Sequence, residues 1–283
     1  MRARLLRMGL ASMAAACTVT AAAIDVEIDF AAPPGYAVRN EAAMVVLVPQ
    51  AIERTPCVYG FVAPRPSKGA LDADAQAALA EAVVPGWQRT GEWANAQKGT
   101  APAGWPWHRT QADFRRGGDA VSAMAMALPA GPGRVHIVWG LGNPAHCTFD
   151  DTAFARLFHS LRPRGWRADG GAAWLRQLHG TWRNTERYGL AQFTFGADGR
   201  YERALATSTR LGFSERTSSR VERGRYALRD GALALTPESG GHPATYRARV
   251  FEEFTYVRGR WTRVLALLTA DAGADEVRYD KVD

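Results

Sequence analysis

Two hydrophobic rhythms divide this chain. From residue 24 to 161 the apolar positions mix the alternation of strands with the three-to-four spacing of helices. Residues 26–30, 44–48 and 57–62 are short β-prone runs separated by Pro, Gly and Asn. Residues 71–84 bring Leu71, Ala75, Ala78, Leu79 and Ala82 to one stripe. Asp72 and Asp74 stand in the first turn, where the helix dipole favours acids. Pro85 and Gly86 stop that helix. Residues 120–128 and 134–139 predict a hairpin about the turn 129–133. Phe154, Leu157, Phe158 and Leu161 fall at i, i+3, i+4 and i+7, so 151–161 predicts a second helix, capped by Asp150 or Thr148. The expectation for 24–161 is an α+β domain, an antiparallel sheet with two helices on one face.

Residues 162–173 (RPRGWRADGGAA) have linker composition, and Trp166 within them is expected to dock on a flanking domain. From 174 to 283 only the two-residue alternation remains. Segments 180–186, 190–195, 199–208, 219–228, 232–236, 244–256, 261–269 and 276–282 read as strands. Asp198-Gly199 and Asp230-Gly231 are dipeptides of tight hairpin turns. About eight meandering strands without a helix predict an all-β, up-and-down barrel, which removes open sheet edges by closure. The polar stretch 207–220 is expected to be a loop at the barrel rim.

Particular residues carry a resemblance. Gly180-Thr-Trp182 resembles the Gly-x-Trp start of lipocalin-like barrels. Phe193-Thr-Phe195-Gly-Ala-Asp198-Gly199-Arg-Tyr201 is similar to a hairpin of bacterial lipocalin-like domains, as are Gly224-Arg-Tyr226 and the Leu233-Ala-Leu235 that follows. More weakly, Phe30-Ala-Ala-Pro33-Pro-Gly-Tyr36 and Phe158-His-Ser160-Leu161 resemble secreted α+β proteins of PsbP-like type. The pairing is similar to a bacterial family of secreted two-domain proteins. The resemblance implies a fold and a compartment, and no activity. It also implies a basic residue of the last strand, Arg278 or Lys281, packed over Trp182 to close the barrel floor.

The N-terminus agrees with export. Arg2, Arg4 and Arg7 precede a run of small apolar residues, and Ala21 and Ala23 form an A-x-A pattern, so 1–23 reads as a signal peptide cleaved near Ala23. Met13-Ala-Ala-Ala-Cys17 is similar to a lipoprotein processing site, which makes a lipid anchor at Cys17 the alternative and the sole route to a membrane. A periplasmic or secreted protein keeps two cysteines after cleavage, Cys57 and Cys147, and these are expected to pair; two buried thiols are the alternative. No metal-ligand spacing surrounds them. The whole chain is formally +7, and removing the three N-terminal arginines leaves +4. Export argues against a nucleic-acid partner for this modest excess.

Chemistry is sparse at the level of motifs. G-x-S-x-G, S-x-x-K, H-E-x-x-H and the Walker loop are all lacking, and the six histidines are scattered. Neither catalytic residues nor a cofactor or metal is assigned. Gly140-Leu-Gly142-Asn-Pro-Ala145 mimics a dinucleotide-binding turn, but Pro144 interrupts it and no βαβ unit follows. Trp87, Trp93, Trp105 and Trp107 are expected to cover a core edge rather than form a sugar or peptide platform.

The barrel interior is the candidate site. Tyr246, Ala248, Val250, Glu252, Phe254 and Tyr256 share one face of a strand, and Arg247, Arg249, Phe251 and Glu253 share the other. The first face is read as inward, so the Glu252 carboxylate lies among apolar side chains and needs a partner, with Arg263 and Arg203 as candidates. With the tyrosines near them, the ligand-binding set is Tyr201, Arg203, Tyr226, Tyr246, Glu252, Tyr256 and Arg263. Polar anchors on apolar walls suit a small hydrophobic or amphipathic molecule. The alternatives are an envelope interaction module with a filled barrel, or a hydrolase or isomerase at the barrel mouth.

Overall fold

The computed structural model describes residues 25–41, 44–51, 57–147, 149, 152–166, 171–186, 189–211, 214–255, 259–269 and 275–282. Residues 1–24, Cys17 among them, and Tyr256 lie outside the described residues. The first half contributes β1 (Ile28–Asp29), β2 (Tyr36–Asn40), β3 (Met44–Pro49), β4 (Cys57–Pro66), α1 (Leu71–Ala78), β5 (Gln88–Arg89), β6 (Ala94–Thr100), β7 (Pro106–Arg116), β8 (Asp119–Pro129), β9 (Arg134–Gly142), α2 (Thr152–Ser160) and β10 (Arg162–Pro163). The second contributes α3 (Ala172–Leu178), β11 (Gly180–Glu186), β12 (Gly189–Phe195), β13 (Arg200–Leu211), β14 (Ser214–Arg229), β15 (Ala232–Pro237), β16 (Ala244–Thr255), β17 (Arg260–Thr269) and β18 (Val277–Val282). Strand dominates the chain, and three α-helices occur among the described residues.

In the first half the sheet order is β2-β3-β4-β9-β8-β7-β6, all antiparallel. Its two faces read off β8. Ala123, Ala125 and Ala127 face the cluster that holds Ala75, Ala78 and Leu79 of α1 and its π-helical extension Leu79–Val83. Met124, Met126 and Leu128 face the cluster of Phe154, Leu157 and Phe158 from α2. The helices therefore lie on opposite faces, not on one. Small alanines admit α1 closely, and a strand covered on both sides is apolar throughout, as residues 123–128 are. The Cys57–Cys147 disulfide forms, with Cα atoms 5.4 Å apart, and ties the start of β4 to the segment before α2. Closing so long a loop stabilises by about 4 kcal/mol in the chain-entropy model.

In the second half β11 to β18 pair in sequence, and β18 returns to β11, closing an eight-stranded antiparallel barrel. Asp230 (φ 50°) and Gly231 (φ 75°) make the left-handed turn joining β14 to β15, as their sequence predicts. Two sequence expectations are corrected here. A helix, α3, opens this half and lays Trp174 and Leu178 into the barrel cluster. At seven residues, beginning at the end of the linker-like stretch, it offers too little periodicity to be read. The stretch 207–220 is not a loop: β13–β14 pairing continues to Leu211↔Ser214. Backbone pairing sustains such a ribbon without an apolar pattern.

A strand pairing joins the two halves. β6 pairs with β16, Thr100 opposite Val250 and Gln97 opposite Glu253, so one sheet runs from β2 into the barrel wall. β16 meets β15 over three residue pairs only, Leu233↔Tyr246 to Leu235↔Ala244, and then leaves it for β6. Its outer face sends Phe251 into the α2-side core together with Val264 and Ala266 of β17. Its inner face sends Ala248 and Val250 into the barrel with Leu265 and Leu267. Trp166 docks as expected, its Nε1 donating to the Ala103 carbonyl at 2.9 Å.

Candidate functional site

The predicted site residues divide into two groups. Tyr201, Arg203, Tyr226 and Tyr246 belong to the barrel. Tyr201 donates to Glu222 at 2.7 Å, and burial together with that carboxylate raises its phenol above the usual range. Tyr226 donates to the Gly196 carbonyl at 2.7 Å and packs edge-on to Phe195, with centroids 5.1 Å apart. The Arg203 guanidinium lies 5.4 Å from the Phe193 ring centroid. Tyr246 packs against the barrel cluster. The interior between them is occupied by protein. Phe193 stacks on Phe195 at 5.6 Å and meets Tyr279 at 5.3 Å, while Trp174 and Leu178 of α3 pack over Trp182 and its neighbours. Lys281 sits 4.5 Å above the Trp182 ring, so of the two basic residues considered for the floor it is the lysine that covers it. Arg278 instead points outward, to Phe251 and Glu253.

Glu252 and Arg263 stand elsewhere. Glu252 shares its face with Ala248 and Val250, but β16 has left β15 by that point, and its side chain is 48% exposed. The inward reading therefore holds to Val250 and ends there. Registers between neighbouring strands set four polar residues in one row: His108 on β7, Lys98 on β6, Glu252 on β16 and Arg263 on β17. Lys98 Nζ is 3.2 Å from the Glu252 carboxylate and 4.6 Å above the Trp261 ring. Burial lowers the His108 imidazole, which is neutral at neutral pH. The next row is Pro106, Thr100, Val250 and Leu265. All residues of these two rows but Leu265, which is buried in the barrel, line an open trough of about 630 Å³ walled by the start of α1 (Leu71, Asp72) and Gln177 of α3. It has the size of a small-molecule site, with an apolar shelf beside a charged row. Lys98 and His108 escaped the sequence reading, because β6 is short and polar and its pairing with β16 spans about 150 residues.

On the outer face a second polar cluster fills the seam. Arg249, 1% exposed, donates through Nε to Glu276 at 3.0 Å and bonds its other carboxylate oxygen through a second guanidinium nitrogen. The rings of Phe158 and Phe251 each lie 5.1 Å from the guanidinium. His159 Nε2 stands 3.8 Å from Glu276. Burial pushes this imidazole down to about 4, against the pull of the carboxylate. Burial alone would raise Glu276, but Arg249 beside it holds it below the ordinary carboxylate range. Such a bidentate pair, walled by aromatic rings, is a structural joint rather than a solvent-reachable reactive group. A cleft of about 440 Å³ lies next to it, between Trp105, Phe158, Trp166 and Leu228.

The dinucleotide-like turn is an ordinary one. Asn143 Oδ1 accepts from the Ala145 amide, and Gly140 is needed because a Cβ there would meet the Phe149 ring at 2.9 Å. Trp105 and Trp107 are core residues, each 2% exposed. Compared with known protein families and with curated proteins, the chain matches none.

Proposed function

We propose that this is an exported, non-catalytic binding protein, an α+β sheet domain fused to a lipocalin-like barrel, and that it holds a small amphipathic molecule in the trough rather than inside the barrel. One observation carries this reading: Glu252 and Arg263, two anchors singled out from sequence, line an open trough with an apolar shelf, whereas the other described anchors surround an interior filled by aromatic side chains. The barrel then acts as a rigid wall. The filled interior also supports a second reading, an envelope scaffold that binds protein alone.

Native mass spectrometry separates them. The full chain, expressed with its own N-terminus and recovered from a bacterial periplasm, is expected to retain a small molecule lost on denaturation. Glu252→Gln is expected to alter that retention more than Glu253→Gln, since Glu253 is tied to Gln97 on the other face. A bare native mass would sink the carrier reading in favour of the scaffold. The same spectra read the export proposal, since cleavage after Ala23 and lipidation at Cys17 give different masses.

A further inference from the structure

The charged row of the trough is not balanced along its length, and this points to the kind of ligand. Lys98 already has a carboxylate at 3.2 Å and an aromatic face beneath it. Glu252 is correspondingly engaged. Asp72 lies in the first turn of α1, where the helix dipole stabilises it. Arg263 is in register with Glu252 across β16–β17, yet no ion pair joins them, and Arg263 has no carboxylate partner among the described residues. It is the cation of the trough left for an incoming anion.

Resting on the binding reading above, we propose that the trough takes amphipathic monocarboxylates, the carboxylate on Arg263 and the apolar body along Val250, Thr100 and Pro106 towards Leu71. A guanidinium presents a planar fork that matches a carboxylate with two parallel hydrogen bonds, which favours this head group over an alcohol. A cationic head group gains nothing from Arg263, and the Glu252 carboxylate that could receive it is already engaged by Lys98. From Arg263 on β17 the trough runs across β16 and β6 to Pro106 on β7. Three strand spacings make roughly 14 Å, the reach of a medium-length hydrocarbon chain.

Isothermal titration of the full chain with decanoate, decanol and decyltrimethylammonium tests this. Decanoate is expected to bind at least tenfold more tightly than either of the others. Arg263→Gln is expected to erase that preference while leaving decanol within twofold, and Arg263→Lys, which keeps the charge but loses the fork, to retain part of it. Arg223→Gln, an exposed arginine paired with Glu202 on the barrel surface, is expected to change nothing. Equal affinity of the wild-type chain for decanoate and decanol overturns the carboxylate assignment and leaves the binding reading standing. Binding of none of the three overturns both. A tenfold preference that survives in both Arg263 variants overturns the role of Arg263.

Discussion

The two ends of β16 present the same face to very different surroundings. At the first end Tyr246 and Ala248 close the barrel against β15 and β17, and the space in front of them is filled with Phe193, Phe195, Leu265 and Leu267. At the second end Glu252, on the same face, sits half-exposed in a trough between α1 and α3. What changes between them is the neighbouring strand. While β15 is the partner, the sheet curls and covers its own inner face. Once β6 is the partner, the sheet continues into a flat layer and the face opens. A charge is tolerated where the strand leaves the barrel and is excluded a few residues earlier, because an unpaired charge inside would face a large desolvation cost.

The strongest challenge to this contrast is to loosen the seam that makes β16 change partner. Arg249→Met leaves the Glu276 carboxylate buried without its guanidinium, and breaking such a pair costs about 3 to 5 kcal/mol. Urea denaturation is expected to show that loss, and tryptophan fluorescence and circular dichroism are expected to move together because one sheet spans both halves. The double variant Arg249→Met with Glu276→Leu is expected to recover most of it. Two separated transitions in the wild-type chain would mean that β6–β16 pairing does not couple the halves.

A slightly smaller loss tests the filled end. Phe193→Ala removes a ring packed on Phe195 and Tyr279 and is expected to cost about 3 to 4 kcal/mol through lost burial and a residual cavity. Its effect on decanoate affinity is expected to stay within twofold. A large change in affinity would return the ligand to the barrel interior.

Much of this contrast could be read from sequence, and the unread part has a physical cause. Alternation located all eight barrel strands to within a few residues, apart from the two long ones, β13 and β14. Asp-Gly marked a turn, and the even cysteine count marked the disulfide, because each of these signals is local or compositional. Periodicity also assigned Tyr246, Ala248 and Val250 to the inner face. It failed at Glu252 because period two tells which face a side chain takes, and says nothing of what lies over that face. That depends on β6, distant in sequence, too polar to announce itself and interrupted by a register shift between Ala94 and Gln97. The same blindness placed both helices on one face. The run Ala123 to Leu128, apolar at every position, was the available sign that both faces of the sheet are covered.

Acid sharpens the comparison between seam and trough. The folded state holds the His159 imidazole at about 4, below its ordinary 6.5, so between those values the unfolded chain binds the extra proton. Stability is therefore expected to fall as pH drops from about 6.5 to about 4, by on the order of 3 kcal/mol, with no further loss from this group below that. Glu276, held below the carboxylate range, adds its own loss as pH falls below about 4.5. Urea midpoints measured from pH 7 to pH 4 check this. His159→Gln is expected to flatten the upper part of the curve, whereas His108→Gln, in the half-open trough, is expected to flatten it less. Equal flattening would mean that the seam is no more closed to protons than the trough.

The smallest effect tests the barrel floor, which lies beside the trough, since the register of Val264 with Asp280 carries Arg263 next to Lys281. Lys281 covers the indole of Trp182 at 4.5 Å and donates to the His179 carbonyl, while Trp182 Nε1 donates to the Leu178 carbonyl at 2.6 Å. A lysine over a buried tryptophan contributes about 0.5 to 2 kcal/mol. Lys281→Met keeps the aliphatic stem over the ring and removes only the charge and the hydrogen bond. It is expected to lower stability by about 1 kcal/mol and to leave decanoate binding within twofold, because Lys281 is held by the Trp182 ring and the His179 carbonyl and does not line the trough. If Lys281→Met weakened decanoate binding as much as Arg263→Gln did, the lysine next to Arg263 in the β17–β18 register would share the carboxylate, and its assignment to Arg263 alone would fall.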